Sequence, residues 1–352
     1  MREKILDFLK RKEGYTSGDQ LASRLGITRQ ALWKHIRELK TRGYDIVAVP
    51  HLGYRLISAP DRLFSFEVTQ GLDTRFIGRK IYYFDSLSST MNIAMQLGLK
   101  GDPSGTVVLA ESQTRGRGRL GRQWLSPKYK GIYLSLILRP KILPAGASIF
   151  TLLAAVSVCE AIKETVGLET RIKWPNDIFV GNKKLGGILT ELNAEMDKIN
   201  FVIIGIGLNV NNDKKTLIST STSLSADGER PSTPLRTALS KRSESNGRSR
   251  TISSATSLKE QKKENINRIT LVQEILRRIE TNYSLLENNG AEPIIEKWRQ
   301  HNITLGKRVK VYCQKEHIEG EAQDIDKDGG LLIRNDSGLT QKVMAGDVVH
   351  CR

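Results

Sequence analysis

DIFVGNKKLGGILTE, Asp177 to Glu191, holds two apolar runs, Asp177 to Val180 and Lys184 to Glu191, around a Gly181-Asn182 pair. That dipeptide supplies the positive-φ residues of a two-residue hairpin turn, so the two runs are expected to be neighbouring antiparallel strands. Further strand-like runs, Ile81 to Asp85, Thr106 to Glu111, Ile132 to Leu138 and Phe201 to Val210, bracket one long helical run, Ile149 to Val166. That helix is apolar on nearly every side and is expected to be deeply packed. A mostly antiparallel or mixed sheet therefore fits the central region better than a doubly wound one.

Upstream, Ile5, Leu6, Phe8 and Leu9 make a first helical stripe, Ser17 or Gly18 opens a short helix that Gly26 breaks, and Thr28 caps a third. One face of the third helix holds Ala31, Leu32, Ile36 and Leu39, the other Arg29, Gln30, Trp33, Lys34 and Arg37. Tyr44 to Val49 and Tyr54 to Ile57 alternate as strands about a turn at Pro50 to Gly53, the pattern of a winged helix-turn-helix over residues 1–60. A linker, Ser58 to Arg62, leads on to the central region. Downstream, helices are expected at Arg268 to Glu287 and Pro293 to His301. Short alternating strands from Lys307 to His350 then suit a small SH3-sized barrel.

Charge is unevenly placed. The chain of 352 residues carries a formal +17, with 12 Lys+Arg against 6 Asp+Glu in residues 1–60 and 8 against 3 in residues 214–254. Of the latter 41 residues, 17 are Ser or Thr, and their scant apolar content predicts a flexible insertion, Lys214 to Ser254, unable to offset the entropy of ordering it. The three cysteines, Cys159, Cys313 and Cys351, are odd in number and far apart, which excludes a CxxC unit and argues against a disulfide framework. The N-terminus has no apolar run of signal-peptide length and no later run approaches a membrane span, so a soluble cytoplasmic protein is expected.

The sharpest local feature is Gly116-Arg117-Gly118-Arg119-Leu120-Gly121-Arg122, between Arg115 and Gln123-Trp124. Alternate glycines let backbone approach a ligand, and the arginines offer forked, permanent charges for phosphate or carboxylate. A solvated basic loop or an RG-type nucleic-acid segment fits the same residues; a P-loop does not, since GxxxxGK[ST] is absent. Ser88-Ser89-Thr90 opens a helix after a strand, as a cap or as a meeting point of hydroxyls and free N–H groups with a polar ligand. Lys173 heads Lys173-Trp174-Pro175-Asn176-Asp177, either as a surface lysine beside a turn or as a cation backed by a rigid Trp-Pro corner and facing a cleft. Gly205-Ile206-Gly207-Leu208-Asn209 ends a buried strand, with glycines that serve strand packing or leave room for a ligand.

Taken together and in this order, SST at 88–90, ESQTRGRGRLGRQW at 111–124, KWPND at 173–177, KLGGIL at 184–189 and GIGLNV at 205–210 resemble the biotin protein ligase family. The resemblance covers nearly the whole chain, because the winged helix before and the small barrel after match the family's repressor-bearing branch. It implies a multidomain α/β (α+β) fold: a winged helix-turn-helix at 1–60, a class II synthetase-like mixed-sheet catalytic domain at 66–302, and an SH3-like barrel at 304–352. By motif, Ser89, Thr90 and Gln113 would meet the biotin head group, and Arg117, Gly118 and Arg119 would close over it. Lys173 would face the carboxylate and α-phosphate, with Lys173, Arg117 and Arg119 as the catalytic set and Trp124, Asn176 and Asn209 beside the nucleotide. Met91 after SST and the long insertion depart from the family's usual pattern.

The same resemblance implies biotin and ATP as substrates with Mg²⁺, a biotin carboxyl carrier protein as acceptor, and operator DNA as a second partner. Arg29, Gln30, Trp33, Lys34 and Arg37 would face DNA in a homodimer promoted by biotinyl-AMP. A lipoate or octanoate ligase on the same fold, a biotin sensor without turnover, and a winged helix used for protein contacts are the competing readings.

Overall fold

The computed structural model describes residues 1–217, 255–313 and 316–351, and the chain divides into two compact units, Met1–Glu67 and Val68–Arg352. In the first unit, α1 (Arg2–Arg11), α2 (Gly18–Leu25) and α3 (Arg29–Thr41) precede a hairpin of β1 (Asp45–Val49) and β2 (Gly53–Ser58). Local chemistry sets the helix starts: the Ser17 hydroxyl accepts from the Gln20 amide and the Thr28 hydroxyl from the Ala31 amide, each at 3.1 Å. The α2 helix ends at Gly26 in the left-handed conformation. Ile5, Leu9, Leu21, Leu32, Ile36 and Leu39 form the core, and Ala31, expected with them, is only half-buried. Residues Arg29, Gln30, Trp33, Lys34 and Arg37 are all exposed, as the helical period requires.

A short helix, α4 (Ser65–Thr69), spans the junction. The second unit holds a seven-stranded sheet in the order β3 (Ile81–Phe84), β4 (Val107–Ala110), β5 (Gly131–Leu138), β9 (Ile199–Asn209), β8 (Lys183–Ala194), β7 (Asp177–Val180), β6 (Arg171–Lys173). Only β3–β4 is parallel. The β7–β8 hairpin turns at Gly181-Asn182, as the sequence predicts, but of the two only Gly181 takes a positive φ, +54°. Side chains alternate faces along β9. Phe201 and Ile203 pack with Met91 and Ala94 of α5 (Thr90–Leu99). Thr151 of α6 (Ile149–Val166) hydrogen-bonds Thr190 at 2.9 Å, and Thr190 is the ladder partner of Ile204, so α6 covers the other face.

One expectation is overturned here: residues 144–166 are long and apolar enough to cross a membrane by length and composition. The physical reason for the apolar composition is burial, since α6 is the core helix between the sheet and α8 (Arg268–Asn289) and α9 (Glu292–His301). The expected insertion also begins differently, because residues 214–217 are helical and Leu217 is buried; residues 218–254 lie outside the described residues. A further short helix, α7 (Leu258–Lys262), follows, capped by Ser257. The C-terminal part is a five-stranded antiparallel sheet: β13 (Thr340–Val343), β12 (Leu331–Arg334), β11 (Glu316–Ile325), β10 (Arg308–Cys313), β14 (Asp347–His350).

Candidate active site

The site lies on the α5 face of the large sheet. Ser89 precedes α5, yet its hydroxyl caps nothing: it is 1% exposed and has no hydrogen-bond partner. A buried hydroxyl without a partner costs roughly 1–3 kcal/mol, which marks a place for a ligand's polar atom. Beside it, the Thr90 amide and hydroxyl both donate to Gln113 Oε1, at 2.8 and 3.1 Å, and the Ser135 hydroxyl donates to Thr90 Oγ1 at 2.8 Å. Gln113 Nε2 donates to Ser126 Oγ at 2.9 Å. Three of the sequence-predicted residues therefore form one cradle, and Ser126 and Ser135, which carry no motif signal, complete it.

Residues 115–124 form a narrow hairpin. The Trp124 amide donates to Gly116 O (2.9 Å) and the Gly118 amide to Arg122 O (2.7 Å). A Cβ on Gly116 would lie 2.3 Å from Trp124 O, closer than any real contact, and would crowd the cradle at 3.1 Å from Gln113 Nε2. Only glycine lets these strands close. The arginines tie the hairpin to three separate elements: Arg117 to Glu191 of β8 (2.9 Å), Arg119 to Asn176 Oδ1 (3.0 Å), and Arg122 to Asp347 of β14. A cleft of about 440 Å³ is lined by Arg115 through Gln123 with Leu189 and Glu191.

The end of β6 brings the second cation, Lys173. Among the described residues Lys173 makes no ion pair; its ammonium stands 5.9 Å from the Phe179 ring centroid, and its ladder partner Asp177 is bonded to Lys184 at 2.6 Å. Burial pulls the Lys173 pKa below the usual lysine value, Asp177 opposing and Lys184 reinforcing the shift. Burial likewise lowers Arg119, with Asp347 and Asp177 opposing. Asn176 is fixed by its amide donating to Ile188 O at 2.8 Å. These are desolvated cations held in place without a neutralising partner of their own, the arrangement that draws an anionic ligand.

The glycines of β9 turn out to make room for protein. A Cβ on Gly207 would meet the Trp124 indole at 2.7 Å, and one on Gly205 would meet Met91 Sδ at 2.5 Å. Trp124 thus stacks on the sheet, its Nε1 buried and unpartnered, with the Lys184 ammonium 5.9 Å from its ring. Asn209 is buried on the same face, two residues beyond Gly207 at the end of β9. Lys184 and Asp347 are site residues to which sequence reasoning gave no role. Among the described residues no group of three His, Cys, Asp or Glu side chains is gathered to hold a metal ion.

Comparison with known proteins matches three segments: residues 1–55 to an HTH domain, 83–209 to the biotin/lipoate A/B protein ligase family, and 304–351 to the biotin protein ligase C-terminal domain. The bifunctional ligase/repressor BirA of Bacillus subtilis is 36% identical over 95% of this chain and 93% of its own length. That of Escherichia coli is 28% identical over 95% and 92%. Among solved structures, the biotin protein ligase of Aquifex aeolicus in complex with biotin and ATP superposes with a TM-score of 0.59 at 27% identity, covering 78% of this chain and 99% of that one. With a likeness that runs from the winged helix through the cradle and hairpin to the small barrel, the chain belongs to the biotin/lipoate A/B protein ligase family.

Proposed function

We propose that this chain is a biotin protein ligase and a biotin-responsive repressor. The observation that carries the first half is the unpartnered, buried Ser89 hydroxyl in a cradle adjoining the hairpin that carries Arg119. Ser89, Thr90 and Gln113 take the biotin head group, and Arg117, Gly118 and Arg119 cover it. Lys173 faces the carboxylate and α-phosphate; Trp124, Asn176 and Asn209 flank the nucleotide. A biotin carboxylate oxygen attacks the α-phosphorus of ATP, and the bond to pyrophosphate breaks with its electrons leaving on pyrophosphate. A lysine amine of the biotin carboxyl carrier protein then attacks the acyl carbon, releasing AMP and a proton. The protein supplies no nucleophile; it supplies positive charge where two anions must meet. Mg²⁺ would travel on the triphosphate, held by phosphate oxygens and water.

Ser89→Ala separates this reading from a purely structural one. It removes a buried orphan, so the unliganded protein should gain about 1 kcal/mol in urea unfolding, while biotin affinity falls about tenfold. Unchanged biotin affinity would remove Ser89 from the site. Substrate-dependent ATP–pyrophosphate exchange with biotin, lipoate and octanoate decides between the ligase readings, and exchange with none of them would leave a sensor without turnover.

The repressor half rests on α3. Trp33 is 55% exposed with the Arg37 guanidinium over its ring, and Arg29 is held by Asp19 at 3.0 Å. A helix entering the major groove would present Arg29, Gln30, Trp33, Lys34 and Arg37 to bases and phosphates, in a homodimer favoured by biotinyl-AMP. Changing Arg29 and Lys34 to Ala should flatten the salt dependence of operator binding by about two units of slope per subunit, and so by about four for the dimer, since each lost phosphate contact removes about 0.9. Ligase activity should be unaltered, and a slope equal to that of the parent would exclude these phosphate contacts. ATP, carrier protein and operator DNA meet in the bacterial cytoplasm, which is the location this reading assigns.

A further inference from the structure

The tip of the 115–124 hairpin is an awkward piece of backbone. Leu120 has φ +55° and is 67% exposed, and Gly121 follows at φ +72°. A leucine in the left-handed region is disfavoured by its own Cβ and persists only where the surroundings hold it. Two backbone bonds close the tip: Gly118 N–H to Arg122 O, and Arg122 N–H to Arg119 O at 3.2 Å. What holds Arg122 therefore also holds Arg119 against Asn176. Arg122 itself is gripped by both carboxylate oxygens of Asp347, one of them at 3.3 Å.

Asp347 is a firm point of attachment. Its barrel is anchored on the turn that follows Lys173: the Trp174 amide donates to Thr304 Oγ1 (2.9 Å) and its indole N–H to Gly329 O (3.1 Å). Arg299 of α9 adds a two-point pair with Asp324, at 2.9 and 3.0 Å. The C-terminal sheet thus contacts both the turn after Lys173 and the hairpin. We propose that Asp347 is a positioning residue: its bidentate hold on Arg122 keeps the hairpin closed and so limits escape of biotinyl-AMP before the carrier lysine arrives. This rests on the ligase reading above. A carboxylate repels ATP and the biotinyl-AMP phosphate alike, so Asp347 acts through its hold on Arg122 and the closure of the hairpin, not by contact with either ligand.

The test uses the full chain and four forms: wild type, Asp347→Asn, the charge swap Arg122→Asp/Asp347→Arg, and Asp336→Asn. The last breaks another barrel pair, Asp336 with Arg308, and controls for loss of a barrel ion pair as such. Hydrogen exchange of the 115–124 segment is measured without ligand, and release of biotinyl-AMP and KM for ATP are measured with it. Asp347→Asn should raise both hairpin exchange and biotinyl-AMP release about fivefold, the upper range for a bidentate pair of this exposure. KM for ATP should not rise, Asp336→Asn should match wild type, and the swap should recover most of the loss. Hairpin exchange unchanged in Asp347→Asn, or a swap no better than the single variant, overturns the proposal. If wild type makes no biotinyl-AMP, the ligase reading fails, and the exchange measurement still decides whether Asp347 holds the hairpin.

Discussion

Lys173→Ala is expected to lower biotin-dependent ATP–pyrophosphate exchange at least about 100-fold while leaving biotin binding within a few-fold of the parent. The asymmetry follows from where charge accumulates. The biotin head group meets neutral donors and acceptors in the Ser89–Thr90–Gln113 cradle, whereas negative charge builds only when carboxylate and α-phosphate are pressed together. Among the described residues Lys173, like Arg119, has no ion-pair partner, whereas Lys184 is already committed to Asp177. An interaction realised mainly in the transition state lowers kcat rather than biotin affinity when it is lost. The lowered pKa adds a pH signature. An incoming phosphate favours the charged ammonium and raises the value again, so nucleotide affinity should fall as pH rises through the value of the empty site, and Lys173→Ala should abolish that dependence. Exchange above about a tenth of wild type would remove Lys173 from the phosphoryl step.

Legibility in the sequence followed the range of the interactions. The β7–β8 hairpin and the Thr28 and Ser17 caps depend on residues a few positions apart, and each reads directly from the chain. The hairpin arginines were legible as charges but not as contacts, because their partners lie 74, 57 and 225 residues away in Glu191, Asn176 and Asp347. Gly205 and Gly207 signal that something approaches the backbone, not what it is. Met91 and Trp124 fill the space, which also accounts for a methionine after Ser89-Thr90. Helix α6 shows the limit of composition: a helix surrounded by protein and one surrounded by lipid need the same apolar surface, and only its packing against sheet and helices separates them.

Arg268→Met is expected to destabilise the second unit by about 3–5 kcal/mol, the range for breaking a buried ion pair from one side. Arg268 and Glu111 are both 0% exposed and bonded at 2.7 Å, and the same guanidinium nitrogen donates to Gly131 O at 3.1 Å. The geometry begins one residue earlier, where Asn267 caps α8 through the amides of Ile269 and Thr270 and so fixes the helix start from which Arg268 reaches the sheet. Removing the arginine takes the cation from a buried carboxylate that no water reaches, with the Tyr83 hydroxyl still beside it at 3.5 Å. Removing both charges, as Arg268→Met/Glu111→Leu, leaves apolar groups in an apolar place, so the double variant should recover most of the lost stability, and the shortfall from additivity measures the pair. Glu111 stands two residues before Gln113, and Gly131 pairs with Asn209, so the stranded charge should also disturb the cradle. Biotin affinity is then expected to fall in Arg268→Met at temperatures where the protein is still folded, and to return in the double variant. Urea midpoints and biotin titrations on the three proteins check this. Equal stability of the single and double variants would mean that Arg268 acts through packing and not through charge, and a biotin affinity that ignores both changes would uncouple the buried pair from the site it underlies.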